Sequence, residues 1–469
     1  MSVGSMLSDL LSQASESKNY IIKETGIDRS TFYQILRGNR IATEGQLKAI
    51  CQYVQLDSAT YEELVDCYER ERVDEKTFEQ RQQVKRFFNS LSEDVPVIKK
   101  TKESELISDF IAQETAAGND SYRIFLPSGS RRTTELFWAV ENNAQMAGKI
   151  PDIRQLVAEE GGRRSSNSSH IYLRMAEWFS YLKDQTTRFH AYSLGKTMTG
   201  LNTIAFPYYI VGEKTMLLIS YSEKQVVMVH DQSVVNAYRN NFDKVLRDAV
   251  EIASTDTDYM SIMQFFIRHW MTIGKEPVYL LTPRPCLWLC STDELVAKYL
   301  KNDDFIRYGQ MYRNLNILEF TTQSGLENFR KDAKIQEAGM NLQIDAGDMR
   351  RVRRTLSDHR DRISFVLNED RVHVPKEWQM FLIGRQVAAF VPYDRTNYMI
   401  CFTSKGIIDP LADWFESRVK TLNNDIIRKK EPAWGGVTKT VKTTVQPNSE
   451  ERKQLELTNS GAECDNLSQ

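Results

Sequence analysis

Two stretches of the chain carry the same apolar pattern. They are "YYIVGEKTMLLISYSEKQVVMVHDQSVVNAYRNNFDKVL" (208–246) and "QMFLIGRQVAAFVPYDRTNYMICFTSKGIIDPLADWFESRV" (379–419). Gly212 falls on Gly384, Tyr221 on Tyr393 and Phe242 on Phe415, with a one- or two-residue insertion. Each stretch reads as three short apolar runs separated by turn residues, then a segment with helical spacing. Three strands and a closing helix, met twice, predict a tandem pair of related α/β domains. A generic hairpin followed by a helix would give the same pattern without duplication.

The residues before each stretch fit one series. In the first half "SELISDFIAQETA" and "TTELFWAVENNAQMA" are helical, "YRIFLP" is a strand, and "IYLRMAEWFSYLKDQ" is a helix leading to the strand "TRFHAYSL". "SVVNAYRNNFDKVLRDAVEIAS" reads as one long closing helix. In the second half "SIMQFFIRHWMTI" is a helix, "VYLLTP" a strand, "STDELVAKYLK" and "FIRYGQMYRNL" helices, "NILEFTT" a strand, and "GLENFRKDA" and "AGDMRRVRRTLSDHRDR" helices. "ISFVLN" and "RVHVP" are expected as strands, and Ser291 and Glu294 form a capping box.

The amino-terminal part reads differently. Residues 5–72 contain five short amphipathic segments. "KNYIIKET" stops at Gly26, a residue that adopts a left-handed backbone at little cost. Asp28 stands where a helix N-cap belongs. Ile27, Thr31, Phe32, Ile35 and Leu36 then supply an inward face, and Gly38 ends the run. Two short helices about a glycine turn make a helix-turn-helix, whose second helix enters the DNA major groove. Arg29, Ser30, Tyr33, Gln34 and Arg37 are left on its outer side. Arginine pairs with guanine O6 and N7, glutamine with adenine N6 and N7. "RGNR" is expected along the phosphates, with its arginines and free backbone N–H groups as contacts. The chain's net charge is only −2, so a nucleic-acid partner requires a local cluster. Residues 18–40 supply one: Lys18, Lys23, Arg29, Arg37 and Arg40 against Glu24 and Asp28 leave +3. Residues 41–72 set three basic groups against seven acidic ones, leaving −4. A helical adaptor that meets another protein is the alternative.

"IIKETGID", "RSTFYQIL" and "RGNR" together resemble the lambda-repressor-like, or Xre, family of bacterial DNA-binding domains, with Ile22 where the family commonly has alanine. The resemblance covers about the first 70 residues. It implies base contacts from Arg29, Ser30 and Gln34, with Thr31 and Tyr33 nearby, and phosphate contacts from Asn39 and Arg40. Lys18 joins this DNA-binding set by its charge. The resemblance also implies a homodimer on half-sites about one helical turn, ~34–36 Å, apart. The carboxy-terminal hairpin-plus-helix units look like phospholipase-D-like halves. That family's His-x-Lys signature is absent, so such a fold is expected to be non-catalytic here, as in sensor or dimerisation parts of regulators.

Other chemistry is sparse. No Walker loop, G-x-S-x-G or GxGxxG occurs, and the six cysteines lack zinc spacing, so no metal or cofactor is expected. His230-Asp231 reads as a strand end with a cap. The arginines between 350 and 362 read as a solvated helix face or an anion site, and "GGRRSSNSSH" as an exposed loop. No apolar run reaches the length of a membrane span, and the thiols fit a cytoplasm. The expected organisation is an all-α helix-turn-helix domain over 1–72, a helical connector over 73–102, and a tandem α/β (α+β) region as domains over 103–255 and 256–428. A disordered tail covers 429–469. The connector helix could pair with a second copy or pack on its own body. The function expected is sequence-specific transcriptional regulation in the cytoplasm. Its partners would be double-stranded DNA, a second copy and an unknown effector, without membrane association. The alternative is an enzyme or defence effector that carries a DNA-tethering module.

Overall fold

Helix caps and turn glycines divide the amino-terminal part as their chemistry dictates. The computed structural model describes residues 2–91, 101–158, 187–194, 201–284, 293–300, 314–337, 340–358, 363–367, 377–393 and 397–421, less 15, 55, 57, 128–129 and 148–149, together with 175–176, 178–179, 181–183 and 310–311. Five helices come first: α1 (Val3–Gln13), α2 (Lys18–Thr25), α3 (Arg29–Leu36), α4 (Glu44–Val54) and α5 (Ser58–Arg72). Ser2, Ser17 and Asp28 cap the first three through side-chain oxygens. Val3, Leu7, Leu11, Ile21, Phe32, Ile35, Leu47, Ile50, Leu64 and Val65 fill the space between them. A sixth helix, α6 (Glu75–Ser90), folds back along α5, with Arg81 3.3 Å from Glu69 and Lys85 bonded to Asp66.

Two series of alternating elements follow. The first runs α7 (Lys102–Ala116), β1 (Ser121–Pro127), α8 (Arg131–Ala147), β2 (Asp152–Ala158), β3 (Arg188–Ser193), β4 (Tyr208–Val211), β5 (Met216–Ile219), β6 (Val226–Val229) and α9 (Gln232–Leu246). A strand, β7 (Val250–Asp256), joins it to the second. That one runs α10 (Tyr259–Thr272), β8 (Val278–Leu281), α11 (Asp293–Leu300), β9 (Ile317–Thr322), α12 (Gln323–Asp332), a small hairpin β10 (Lys334–Glu337) and β11 (Met340–Gln343), α13 (Ala346–Asp358), β12 (Ile363–Leu367), β13 (Trp378–Ile383), β14 (Val387–Pro392), β15 (Met399–Phe402) and α14 (Lys405–Thr421).

Among the described residues, thirteen strands form one mixed sheet in the order β12-β9-β8-β13-β14-β15-β7-β3-β2-β1-β4-β5-β6. Its two flanks repeat one topology. β1, β2 and β3 run parallel, as do β8, β9 and β12, and each first strand pairs antiparallel with the hairpin series behind it. Ile124 lies between Gln155 and Ile210, as Leu280 lies between Glu319 and Phe381. Gly212 and Gly384 both stand in the turn of the first hairpin, Gly384 one position later in that register. Phe242 and Phe415 are both fully buried on the closing helices.

Two expectations change. The closing helix of the first half ends at Leu246, and Val250–Asp256 is a strand. Val250, Ile252 and Thr255 are β-branched, which suits a strand between β3 and β15, and those two pairings outweigh the continued helical spacing. β2 was not foreseen. Arg154 and Gln155 interrupt its apolar run, yet Gln155 is buried and accepts a hydrogen bond from Trp178 Nε1 at 3.2 Å. "GGRRSSNSSH", "RVHVP", Ser291, Cys286, Cys290 and the tail from 429 lie outside the described residues. No helix among the described residues is long and apolar enough to cross a membrane.

Candidate nucleic-acid interface

The turn between α2 and α3 is set by two residues. Gly26 holds φ at +66°, and Asp28 accepts a hydrogen bond from the Thr31 N–H at 3.0 Å. Phe32, Ile35 and Leu36 turn inward. Arg29, Ser30, Gln34 and Arg37 are exposed, while Thr31 and Tyr33 are half-buried. Tyr33 leans edge-on against Phe32, with ring centroids 6.0 Å apart. The freely presented face of α3 is therefore narrower than the spacing suggested, and consists of Arg29, Ser30, Gln34 and Arg37.

The end of α3 explains "RGNR". Gly38 takes φ of +71°. Its N–H donates to the Ile35 carbonyl at 3.0 Å, and the Asn39 N–H donates to the Gln34 carbonyl at 2.9 Å. This double closure is the Schellman arrangement, which a glycine at its left-handed position permits. The Arg37 N–H donates to the Tyr33 carbonyl at 3.1 Å. The backbone N–H groups of residues 37–39 are thus engaged within the protein, contrary to the expectation that they remain free. The polar groups this segment leaves available are the exposed side chains of Arg37, Asn39 and Arg40. Arg40 Nη1 donates to Thr31 Oγ1 at 3.3 Å, which ties the segment back to the first turn of α3. Lys18 opens α2 half-buried, and no hydrogen bond or ion pair among the described residues joins it to α3.

One positioning residue escaped the sequence reading. A Cβ on Gly4 would stand 2.3 Å from the Ile35 carbonyl oxygen and 2.7 Å from the Gly38 nitrogen. α1 therefore crosses the end of α3 at backbone contact, and that contact fixes where the helix ends. Its only signal was a glycine inside an apolar-spaced run. The Val3 N–H also donates to Glu71 Oε1 at 2.8 Å, which fastens α1 to the end of α5. Ile22 is half-buried and Ile21 fully buried, so the larger residue at the family's alanine position sits at the margin of the core.

The group is mounted on the sheet. Phe87 and Phe88 of α6 are buried, Phe87 edge-on to Phe390 of β14, and Phe88 5.1 Å from the ring of Trp414 on α14. Asp66 of α5 accepts from Lys85 Nζ of α6 at 2.6 Å and lies 3.6 Å from Arg418 Nη2 of α14. Arg418 is 1% exposed. Helices from the amino-terminal group, the connector and the second half thus share one carboxylate.

Asp231 caps α9 through the N–H groups of Ser233 and Val234. Met349 and Val352 turn α13 inward and leave Arg350, Arg351 and Arg354 exposed. Burial pushes the Cys51 thiol up to about 12 and raises that of Cys401 as well, so both are poor nucleophiles. No protein-family model matches the chain, and no curated protein sequence matches it.

Proposed function

We propose that the chain is a sequence-specific regulator that binds double-stranded DNA through α3, acts as a pair of copies in a bacterial cytoplasm, and uses its tandem α/β region to respond to an effector rather than to turn over a substrate. One observation carries the reading. A helix set off by the Gly26 turn presents Arg29, Ser30 and Gln34 outward, and its Schellman end leaves Arg37, Asn39 and Arg40 exposed beside it. Groups that read base edges stand next to groups that grip phosphates, which is the division of labour a helix-turn-helix needs.

The effector part of the reading is supported by a difference between the halves. In register, Leu126, Val157 and Tyr208 of the first half correspond to Thr282, Thr321 and Gln379 of the second. All six are buried. A row that is largely apolar in one half is polar in the other, at the carboxyl ends of parallel strands where open α/β sheets take ligands. Thr282 Oγ1 and Tyr393 Oη, 2.6 Å apart, extend that row.

The test is selection of bound sequences from random double-stranded DNA by the full chain, with and without cell extract. A single enriched motif, bound more weakly or more tightly when extract is present, is the expected result. Enrichment of no motif under either condition would refute the DNA reading and favour the adaptor.

A further inference from the structure

Among the described residues, the outer strands of the sheet are β12 and β6. β6 has a counterpart within the same molecule. β15 ends the hairpin series of the second half as β6 ends that of the first, and β15 is continued by β7 through antiparallel pairs from Met399–Asp256 to Phe402–Ala253. β6 occupies the equivalent place with no strand beyond it among the described residues.

The edge is open in chemistry as well as in topology. The Ser220 N–H donates to the Gln225 carbonyl at 3.0 Å, and Val227 and Val229 stand opposite Leu218 and Met216. That phase turns the main-chain groups of Val227 and Val229 toward β5 and those of Val226 and Met228 outward. Natural edges are blunted by lysine, proline, bulges or inward charges. Val226–Val229 reads Val-Val-Met-Val and has none of these. Val227 is 45% exposed, and Tyr221 in the turn leading into β6 is 40% exposed.

We infer that β6 is the seam of a twofold dimer, in which it pairs antiparallel with β6 of a second copy across Val227. A twofold axis normal to the sheet keeps each face on its own side, so residues of like parity must meet. Centred on Val227, Val226 of each copy meets Met228 of the other. These are the residues whose N–H and C=O groups point outward, and the two pairs exchange four hydrogen bonds. Val227 meets Val227 of the second copy at a non-hydrogen-bonded position, where side chains approach most closely. Pairing β6 with β12 instead would be head-to-tail, giving rings or open filaments in place of a closed pair. Self-pairing extends the sheet as β7 extends β15, and it ends there. The seam rests on the paired-copy part of the function proposed above.

Sedimentation equilibrium of the full chain without DNA tests it, on the wild type, Val227→Lys and Val227→Cys. The wild type is expected to be a dimer. Val227→Lys places two like charges opposite each other and weakens association about tenfold or more, with unchanged circular dichroism. Val227→Cys gives a disulfide-linked dimer on mild oxidation, beyond any linkage the wild type shows. Survival of the dimer in Val227→Lys, with no added disulfide linkage in Val227→Cys, overturns the seam and leaves the paired-copy reading standing. A monomer at every concentration overturns both. Should Val227→Lys fail to fold, the cysteine variant alone decides.

Discussion

Arg29 and Gln34 differ from Arg40 in what each touches. The first two project from an exposed helical face, whereas Arg40 stands beyond the helix end and bonds Thr31. Replacing Arg29 or Gln34 by alanine should therefore cost ~1–3 kcal/mol on the preferred site and relax the choice of one base pair. Arg40→Ala should weaken all sequences alike and flatten the dependence on salt. Binding isotherms on the selected site and on scrambled DNA, at several salt concentrations, separate the two effects; an unchanged preference after Arg29→Ala would place the reading residues elsewhere. Glu114 is a residue of another kind. Fully buried, it accepts hydrogen bonds from the N–H groups of Glu213, Lys214 and Thr215 and from Thr215 Oγ1 and Asn119 Nδ2. Burial pushes its carboxyl up, but Thr215 and the other donors outweigh that and hold it below the ordinary 4.5. A depressed folded value gives stability that is complete above the unfolded value and is lost as pH falls through the folded one. Glu114→Gln should thus cost about 2–4 kcal/mol at neutral pH, since the turn loses a charged acceptor. It should also lose part of the wild type's decline in stability below pH 4.5. Urea midpoints at pH 7 and pH 3.5 measure both, and equal acid sensitivity in the two proteins would show that Glu114 does not carry the effect.

Elements were legible where one face of a segment is buried and the other is wet. α10 and α13 show helical spacing because Ile262, Phe266 and Trp270, or Met349 and Val352, face inward while their neighbours do not. The hairpins were legible for a different reason: short apolar runs are punctuated by turn residues at Gly212 and Gly384. β2 and β7 were not. Both are interior strands, and their polar residues are satisfied by partners far along the chain, Gln155 by Trp178 and Thr255 by the carbonyl of Thr187. Nothing local announces such a partner. α3 could be read residue by residue, because its caps and its turn are local chemistry. The Gly4 crossing and the engagement of the N–H groups at 37–39 could not, since both depend on where another backbone segment lies. The connector helix was ambiguous for the same reason: Phe87 and Phe88 announce a buried face without naming its cover. That cover includes Phe390 and Trp414. Beside it, Asp66 serves both Lys85 and Arg418. Breaking a buried ion pair from one side costs ~3–5 kcal/mol, because the remaining charge stays desolvated. Asp66→Ala should lose about 3 kcal/mol in urea unfolding, and Lys85→Met in that background should recover part of it. Strict additivity of the two substitutions would mean that the pair is not coupled.

At the scale of the whole molecule, the mount and the proposed seam together bear on how far apart two copies would hold their amino-terminal helices. α6 packs on α14, which lies on β13. In the sheet order β13 is nine positions from β6. At ~4.8 Å per strand, α14 is roughly 43 Å from the outer edge of the sheet along the stacking direction. Coiling of a long sheet can only shorten this span, so a dimer joined at β6 would hold its two mounts up to about 80–90 Å apart. One turn of DNA is ~34–36 Å, well under the separation of the mounts, so a seam at β6 favours half-sites more than one turn apart. The family resemblance implies that one-turn spacing; the seam implies two turns or more. Duplexes carrying two copies of the selected half-site at centre-to-centre spacings of one, two and three turns distinguish the cases. With the seam at β6, affinity should rise above that of a single half-site only at two turns or beyond, because only there does the second contact become intramolecular. Tightest binding at one turn would place the dimer contact near the amino-terminal helices and remove β6 from it.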